Sequence, residues 1–330
     1  MKRKKVRLFG VGLFRFGALC CDYFCIFAKI ICMTRYIYNI LLALSSTLLF
    51  ACQSQRTEPQ AEMMVSIAPL KYIVEQITDS DLHIGVLVPA GASPETFDPT
   101  PRQMKSVEDA TLLFTTGLIE FEQNIIERIG NGANIVELHH GIDLIEGSHE
   151  HEQQAEHSHE HHSPATHSHH HGIDPHIWTS PRELKTMARN AYEAIMQRYP
   201  DSTKYTASYN RLVEQLEALD AECRQMYDKS ATRAFVIYHP ALTYLARAYS
   251  IEQIAVEEDG KEPSARHIAT LIDAARTKGV TCLLYQSQFP RSVVDVIARD
   301  MGVEAEEFDP LAENVVENIA SITSLITNRK

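Results

Sequence analysis

The sequence predicts an α/β protein of two lobes, each with a mainly parallel four-stranded sheet flanked by helices, joined by one long linking helix. Three observations carry this. Eight short apolar runs alternate with stretches of helical spacing, as βα units require. Several of those runs are apolar without interruption, the pattern of parallel strands covered on both faces. Between the fourth and fifth runs, residues 202–229 contain neither glycine nor proline.

The elements follow in order. Met63–Ala68, His83–Val88, Thr111–Thr115 and Asn134–Leu138 are the strands expected in the first half. Ala234–Tyr238, Ile251–Ala255, Val280–Gln286 and Val303–Phe308 are those of the second. Thr100-Pro101-Arg102-Gln103 and Ser180-Pro181-Arg182-Glu183 each predict a capping box with proline at the first helical position. Pro181–Tyr199 predicts a helix stopped by Pro200. Within 202–229, Leu212, Val213, Leu216, Leu219 and Cys223 recur near helical spacing. One helix of that length reaches about 40 Å, too long for a simple crossover and long enough to touch two domains. Two shorter helices in one domain are the alternative.

The first 51 residues predict targeting rather than fold. Arg35 precedes an apolar stretch centred on Ile40-Leu41-Leu42-Ala43-Leu44, which runs on to Leu48-Leu49-Phe50-Ala51-Cys52. A basic flank, an apolar segment of signal-peptide length and a small residue at the cut have that meaning. Leu49-Phe50-Ala51-Cys52 resembles a lipobox, which predicts lipid attachment at Cys52. Residues 52–61 then form a polar tether. Residues 1–32 precede a second methionine and suit an upstream start. An uncleaved membrane anchor is the alternative. Only Cys52, Cys223 and Cys282 follow this segment. Cys223 and Cys282 could form one disulfide, although the apolar run around Cys282 favours a buried thiol.

Net charge narrows the ligand. The 330 residues carry −12, but residues 1–51 hold eight Lys or Arg against one acid, Asp22, and without them the remainder carries −19. So acidic a body argues against nucleic acid and suits a cation. Residues 149–171 hold ten of the sixteen histidines: His149, His151, His157, His159, His161, His162, His167, His169, His170 and His171. No apolar periodicity survives there, so the composition predicts a disordered loop, and imidazoles at that density predict auxiliary metal binding.

A preformed site belongs at the carboxyl ends of the strands, where open α/β sheets bind ligands. The loop after the second strand offers Glu95, that after the fourth His176, that after the fifth His239 and that after the eighth Asp309. Each half supplies two, which places a metal cleft between the lobes. His139 and His140 stand in reserve as imidazole donors should Glu95 be only a solvated loop residue.

The motifs around these positions are Val88-Pro89-Ala90-Gly91-Ala92-Ser93-Pro94, Asp174-Pro175-His176-Ile177-Trp178, Tyr238-His239-Pro240-Ala241, Glu262-Pro263-Ser264 and Phe308-Asp309-Pro310-Leu311. Together, over about residues 62–330, they resemble the extracytoplasmic metal-binding components of bacterial zinc and manganese ABC importers, in their zinc branch. The resemblance implies a lobe over 62–200, a linking helix over 201–229 and a lobe over 230–330. It implies His176 and His239 as ligands and Asp309 at the carboxylate position. Where the family has a histidine after Gly-x-x-Pro, this chain has Glu95; where it commonly has Glu, this chain has Gln286. Zinc accepts carboxylate oxygen, so Glu95 with His176, His239 and Asp309 is a feasible tetrahedral set. The same set also accepts Mn(II) or Fe(II).

The implied function is capture of Zn(II) and delivery to an ABC permease with its ATPase subunit. The protein would act as a monomer, lipid-anchored at Cys52 on the periplasmic face of a membrane. A manganese or iron carrier, an adhesin or metal-buffering lipoprotein, and a zinc hydrolase are the alternatives. Against the last, the chain has no His-Glu-x-x-His, no Gly-x-Ser-x-Gly and no phosphate-binding or dinucleotide glycine motif, so no enzyme is expected.

Overall fold

In the computed structural model the described residues are 33–35, 38, 61–130, 134–147, 172–257, 263–289 and 291–327. The chain divides into two compact units, Met1–Glu58 and Pro59–Lys330. In the first, Met33–Arg35 and Tyr38 are helical. The rest of the expected targeting segment, Cys52, Glu262 and all ten histidines of 149–171 lie outside the described residues. No helix among the described residues is long and apolar enough to cross a membrane.

The second unit contains all eight expected strands. In its first half they are β1 (Met63–Val65), β2 (Ile84–Val86), β3 (Leu112–Thr115) and β4 (Ile135–Glu137). They alternate with α1 (Ala68–Thr78), α2 (Pro101–Asp109) and α3 (Glu120–Ile129). A 3₁₀ turn over Ile177–Thr179 then leads into α4 (Pro181–Arg198) and α5 (Thr203–Lys229). The second half comprises β5 (Ala234–Ile237), α6 (Thr243–Tyr249), β6 (Glu252–Ala255), α7 (Ala265–Thr277), β7 (Cys282–Tyr285), α8 (Arg291–Met301), β8 (Glu304–Glu307) and α9 (Val315–Thr327). The sheets have the same layout: orders β2-β1-β3-β4 and β6-β5-β7-β8, with every pairing parallel.

The long stretch is one helix. In α5 the buried positions are Tyr205, Ser208, Leu212, Leu216, Leu219, Cys223 and Tyr227. They are spaced by three and four residues, so they form a single stripe along its whole length. That stripe packs against α1 and α4 of the first half and α9 of the second. Polar contacts tie down both ends: Lys204 Nζ meets Asp81 Oδ1 at 2.8 Å, and Cys223 Sγ lies 3.3 Å from Thr323 Oγ1. Cys223 and Cys282 are both buried and neither is in a disulfide, so the expected pair does not form.

The packing makes one core continuous through both halves. Strand β5 alternates: Phe235 and Ile237 join the large core shared with β1, β3 and α5, whereas Ala234 and Val236 join a smaller core under α7 and α8. This is the period of two expected of a strand covered on both faces. Trp178 Nε1 donates to the Pro310 carbonyl at 2.8 Å, joining the two halves beside the strand ends.

One capping box forms and the other does not. The Thr100 hydroxyl accepts from Gln103 N–H, Gln103 Oε1 accepts from Thr100 N–H, and Gln103 Nε2 donates to the Leu87 carbonyl. This anchors α2 to the end of β2. Ser180 makes no side-chain cap at α4. Its expected partner Glu183 instead pairs with Arg247 of α6 at 2.9 Å. A guanidinium offers a carboxylate a stronger, charge-assisted bond than one backbone N–H, so the tertiary contact wins.

Candidate metal centre

Three of the four expected ligands meet at the carboxyl ends of the strands. Glu95 follows β2, His176 is the residue before the 3₁₀ turn, and His239 comes two residues after β5. A ligand atom from each lies within 4.8 Å of the other two. The imidazole centroids of His176 and His239 are 5.2 Å apart. Glu95 Oε1 is 2.8 Å from His239 Nε2. Donor atoms around tetrahedral zinc at about 2.0–2.1 Å stand roughly 3.3 Å apart, so a shift well under 1 Å converts this ion pair into two metal bonds.

Each imidazole is held at its other nitrogen by a carboxylate. Asp174 Oδ1 lies 2.8 Å from His176 Nδ1 and also accepts the His176 backbone N–H at 2.9 Å. Glu257 Oε2 lies 2.6 Å from His239 Nδ1. With Nδ1 engaged, Nε2 is the lone pair each ring presents to a metal. Burial pushes the His239 pKa down, but hydrogen bonds and charge from Glu257 and Glu95 outweigh it and raise it to about 9. Burial raises that of Asp174, but His176 beside it more than compensates and holds it below the usual carboxylate value.

The cleft around the three ligands measures about 600 Å³ and is lined from both halves, by Leu118, Ile119 and Glu146 on one side and Pro240, Thr243 and Ala255 on the other. The loop carrying Leu118 and Ile119 is held by Glu122, fully buried in α3. This carboxylate accepts the backbone N–H groups of Gly117, Leu118 and Ile119 at 2.9–3.3 Å. Burial pushes its pKa upward. Gly117 has φ +78°, and a Cβ there would stand 2.6 Å from His139 Nδ1, so only glycine fits.

The remaining expected residues lie elsewhere. Asp309 is exposed, and its Oδ1 accepts the Leu311 N–H at 2.9 Å, closing the turn whose Pro310 carbonyl receives Trp178. It is absent from the group of ligand atoms. An aspartate just before proline satisfies the backbone two residues on, and here that local bond holds the carboxyl. His139 is buried with Nδ1 2.8 Å from the Thr116 carbonyl, and His140 is exposed. Neither joins the site. Gln286 is buried and donates through Nε2 to the His239 carbonyl at 3.2 Å, so it supports the ligand loop from behind.

Sequence reasoning missed Glu257 and Tyr244. Glu257 lies two residues past β6, at the same sheet edge as the ligands, so the rule that selected Glu95 and His239 also selects it. Tyr244 carries no comparable signal. Its hydroxyl donates to the Asp174 carbonyl at 2.9 Å and accepts the Ile145 N–H at 3.2 Å. It thereby joins the helix that follows His239 to the loop that carries His176.

Known zinc-binding proteins are similar to this chain. A family model for ZnuA, the periplasmic component A of a zinc-uptake complex, matches residues 63–328. The high-affinity zinc uptake system protein ZnuA of Bacillus subtilis is 27% identical over 277 residues, covering 80% of this chain and 85% of that protein. The zinc-binding protein AdcA of Streptococcus pyogenes is 27% identical over 266 residues, covering 77% of this chain. The match takes in 51% of AdcA, so this chain spans about half the length of that relative. A crystal structure of ZnuA superposes with a TM-score of 0.70 at 30% identity, over 81% of this chain and 98% of that one. The match over nearly all of the second unit, together with the paired parallel sheets, shows that this chain belongs to the ZnuA family.

Proposed function

We propose that this chain captures Zn(II) outside the cytoplasm between Glu95, His176 and His239, and delivers it to an ABC permease driven by an ATPase subunit. The observation that carries the reading is the convergence, within 4.8 Å, of two imidazoles and a carboxylate from three separate loops. Two nitrogens and one oxygen suit zinc, and the oxygen also admits Mn(II) or Fe(II). The work is binding rather than catalysis: the ligands hold and release an ion, and no nucleophile is required. Lipid attachment at Cys52 would keep the carrier at the membrane beside its permease. Cys52→Ala should therefore move the protein from the membrane fraction to the soluble one; a variant that stays with the membrane removes the lipid-anchor reading.

Calorimetric titration with zinc tests the site. A chain lacking residues 149–171 should retain one tight zinc and lose only weaker binding of higher stoichiometry. Loss of the tight zinc would move the ligands into the histidine-rich segment. The same titration has a pH signature. With its pKa near 9 in the metal-free protein, His239 must shed a proton for zinc to bind. Apparent affinity should rise about tenfold per pH unit from 7 towards 9 and then level off, with about one proton released per zinc near neutrality. The raised pKa has a second consequence. The protonated His239 cluster stabilises the metal-free fold fully below about pH 6.5, and that contribution disappears as pH rises through about 9. The increase in melting temperature produced by zinc should therefore be small at pH 6 and largest near pH 9. A zinc affinity that is flat between pH 7 and 9 would exclude His239 as a ligand that exchanges its proton for metal.

A further inference from the structure

We propose that Glu257 is the positioning residue for His239: it fixes the ring and the tautomer that turn Nε2 towards the metal. This rests on the reading of His239 as a ligand. The first support is sheet register. Strands β5 and β6 pair in parallel with Ile237 opposite Ala255, and the Glu257 backbone N–H continues the ladder to the Tyr238 carbonyl at 2.9 Å. Two residues beyond the last pair, His239 and Glu257 stand side by side. Neighbouring residues in register on one face are within side-chain reach. The placement is thus a property of the backbone, and the 2.6 Å contact between Oε2 and Nδ1 is what that placement yields.

The second support is that, among the described residues, Glu257 alone is shown at Nδ1 of this ring. Phe289 stacks on the imidazole with centroids 6.0 Å apart, which fixes its plane but permits a flip about the Cβ–Cγ bond. Gln286 holds the backbone carbonyl and leaves the ring free to turn. Glu95 meets Nε2, the atom that zinc would take. The Glu257 side chain is only 11% exposed, so water competes weakly for its oxygens. The two imidazoles are therefore oriented by different means. His176 has its carboxylate two residues upstream on the same loop, whereas His239 depends on a residue brought in by a separate strand.

The test compares Glu257→Ala and Glu257→Gln with His239→Ala in the full chain, using zinc titration against a competing chelator and ¹⁵N NMR of the zinc-bound histidines. Glu257→Ala should weaken zinc binding about 10- to 100-fold, the range seen for partners that orient a ligand. Glu257→Gln should recover most of the loss, because an amide oxygen still accepts the Nδ1–H. Wild type and Glu257→Gln should show His239 with a protonated Nδ1 and a metal-bound Nε2. Full zinc affinity in Glu257→Ala, together with loss of binding in His239→Ala, overturns the proposal and leaves the site reading standing. Full affinity in His239→Ala overturns both. Equal losses in Glu257→Ala and Glu257→Gln overturn it as well, since charge rather than hydrogen bonding would then be the cause. Should Glu257→Ala fail to fold, the Gln variant decides alone: near-normal affinity with an intact Nδ1–H signal upholds the proposal, and near-normal affinity without that signal overturns it.

Discussion

Replacing His239 with alanine should abolish tight zinc binding. On the proposed reading the substitution removes one of three donors, the one that the second half contributes. Loss of an outer partner typically costs 10- to 100-fold; loss of a donor atom should cost more, on the order of 1,000-fold or beyond. The metal-free protein should also suffer. Glu257 is nearly buried and would lose the imidazole it faces, and a buried carboxylate stripped of its partner is destabilising. Titration and thermal melting check this together: the variant should melt below wild type without metal and gain almost nothing from added zinc. A variant that keeps the full zinc-induced shift would place the site elsewhere.

The second large effect is expected at Glu95, where this chain departs from the pattern its family resemblance implies. Glu95→Ala should weaken zinc by more than about 100-fold, comparably to His176→Ala, because each would remove a proposed donor. Glu95→His should keep tight zinc and lose affinity for Mn(II), since imidazole is a softer donor than carboxylate. Asp309→Ala supplies the contrast. Its carboxyl closes a turn on Leu311 N–H, so zinc affinity should stay near wild type. Competition titrations of zinc against manganese on the three variants measure all of this. Wild-type zinc affinity in Glu95→Ala would show that the glutamate is a bystander, and a large loss in Asp309→Ala would return that residue to the ligand set.

The strands were legible because burial on both faces leaves uninterrupted apolar runs, and all eight occur where expected. Each expected run exceeds its strand by one to three residues in all. Val88 and Phe308 are buried and still donate to the neighbouring strand, to the Ser66 and Tyr285 carbonyls at 3.0 Å, so apolar character and single ladder bonds both run past the last paired residues. The single helix α5 was legible from its stripe. Ser180 misled because a capping box is a local pattern, and Arg247, 64 residues from Glu183, lies beyond any local window. Glu95, His176 and His239 were legible because strand ends, residue type and motif pointed to the same places. Asp309 satisfied the same three criteria and failed on a fourth that sequence does not display, the direction of its carboxyl. Tyr244 was invisible because its role depends on two carbonyl and amide groups far away in the chain.

The shared core has a thermodynamic consequence. Two domains joined by a thin, wet interface can open independently, and a ligand between them then stabilises mainly the closed arrangement. Here α5 lays one buried stripe against α1 and α4 of the first half and α9 of the second, and β5 contributes Phe235 and Ile237 to the core they share. Separating the halves would expose that apolar surface to water, at about 25 cal/mol for each Å². An ion bound at the proposed site would therefore be coupled to folding throughout the second unit. On the proposed site, the binding energy of one ion in the cleft would be distributed over the cooperative stability of both halves, and a void opened under Leu216 would lower that shared stability.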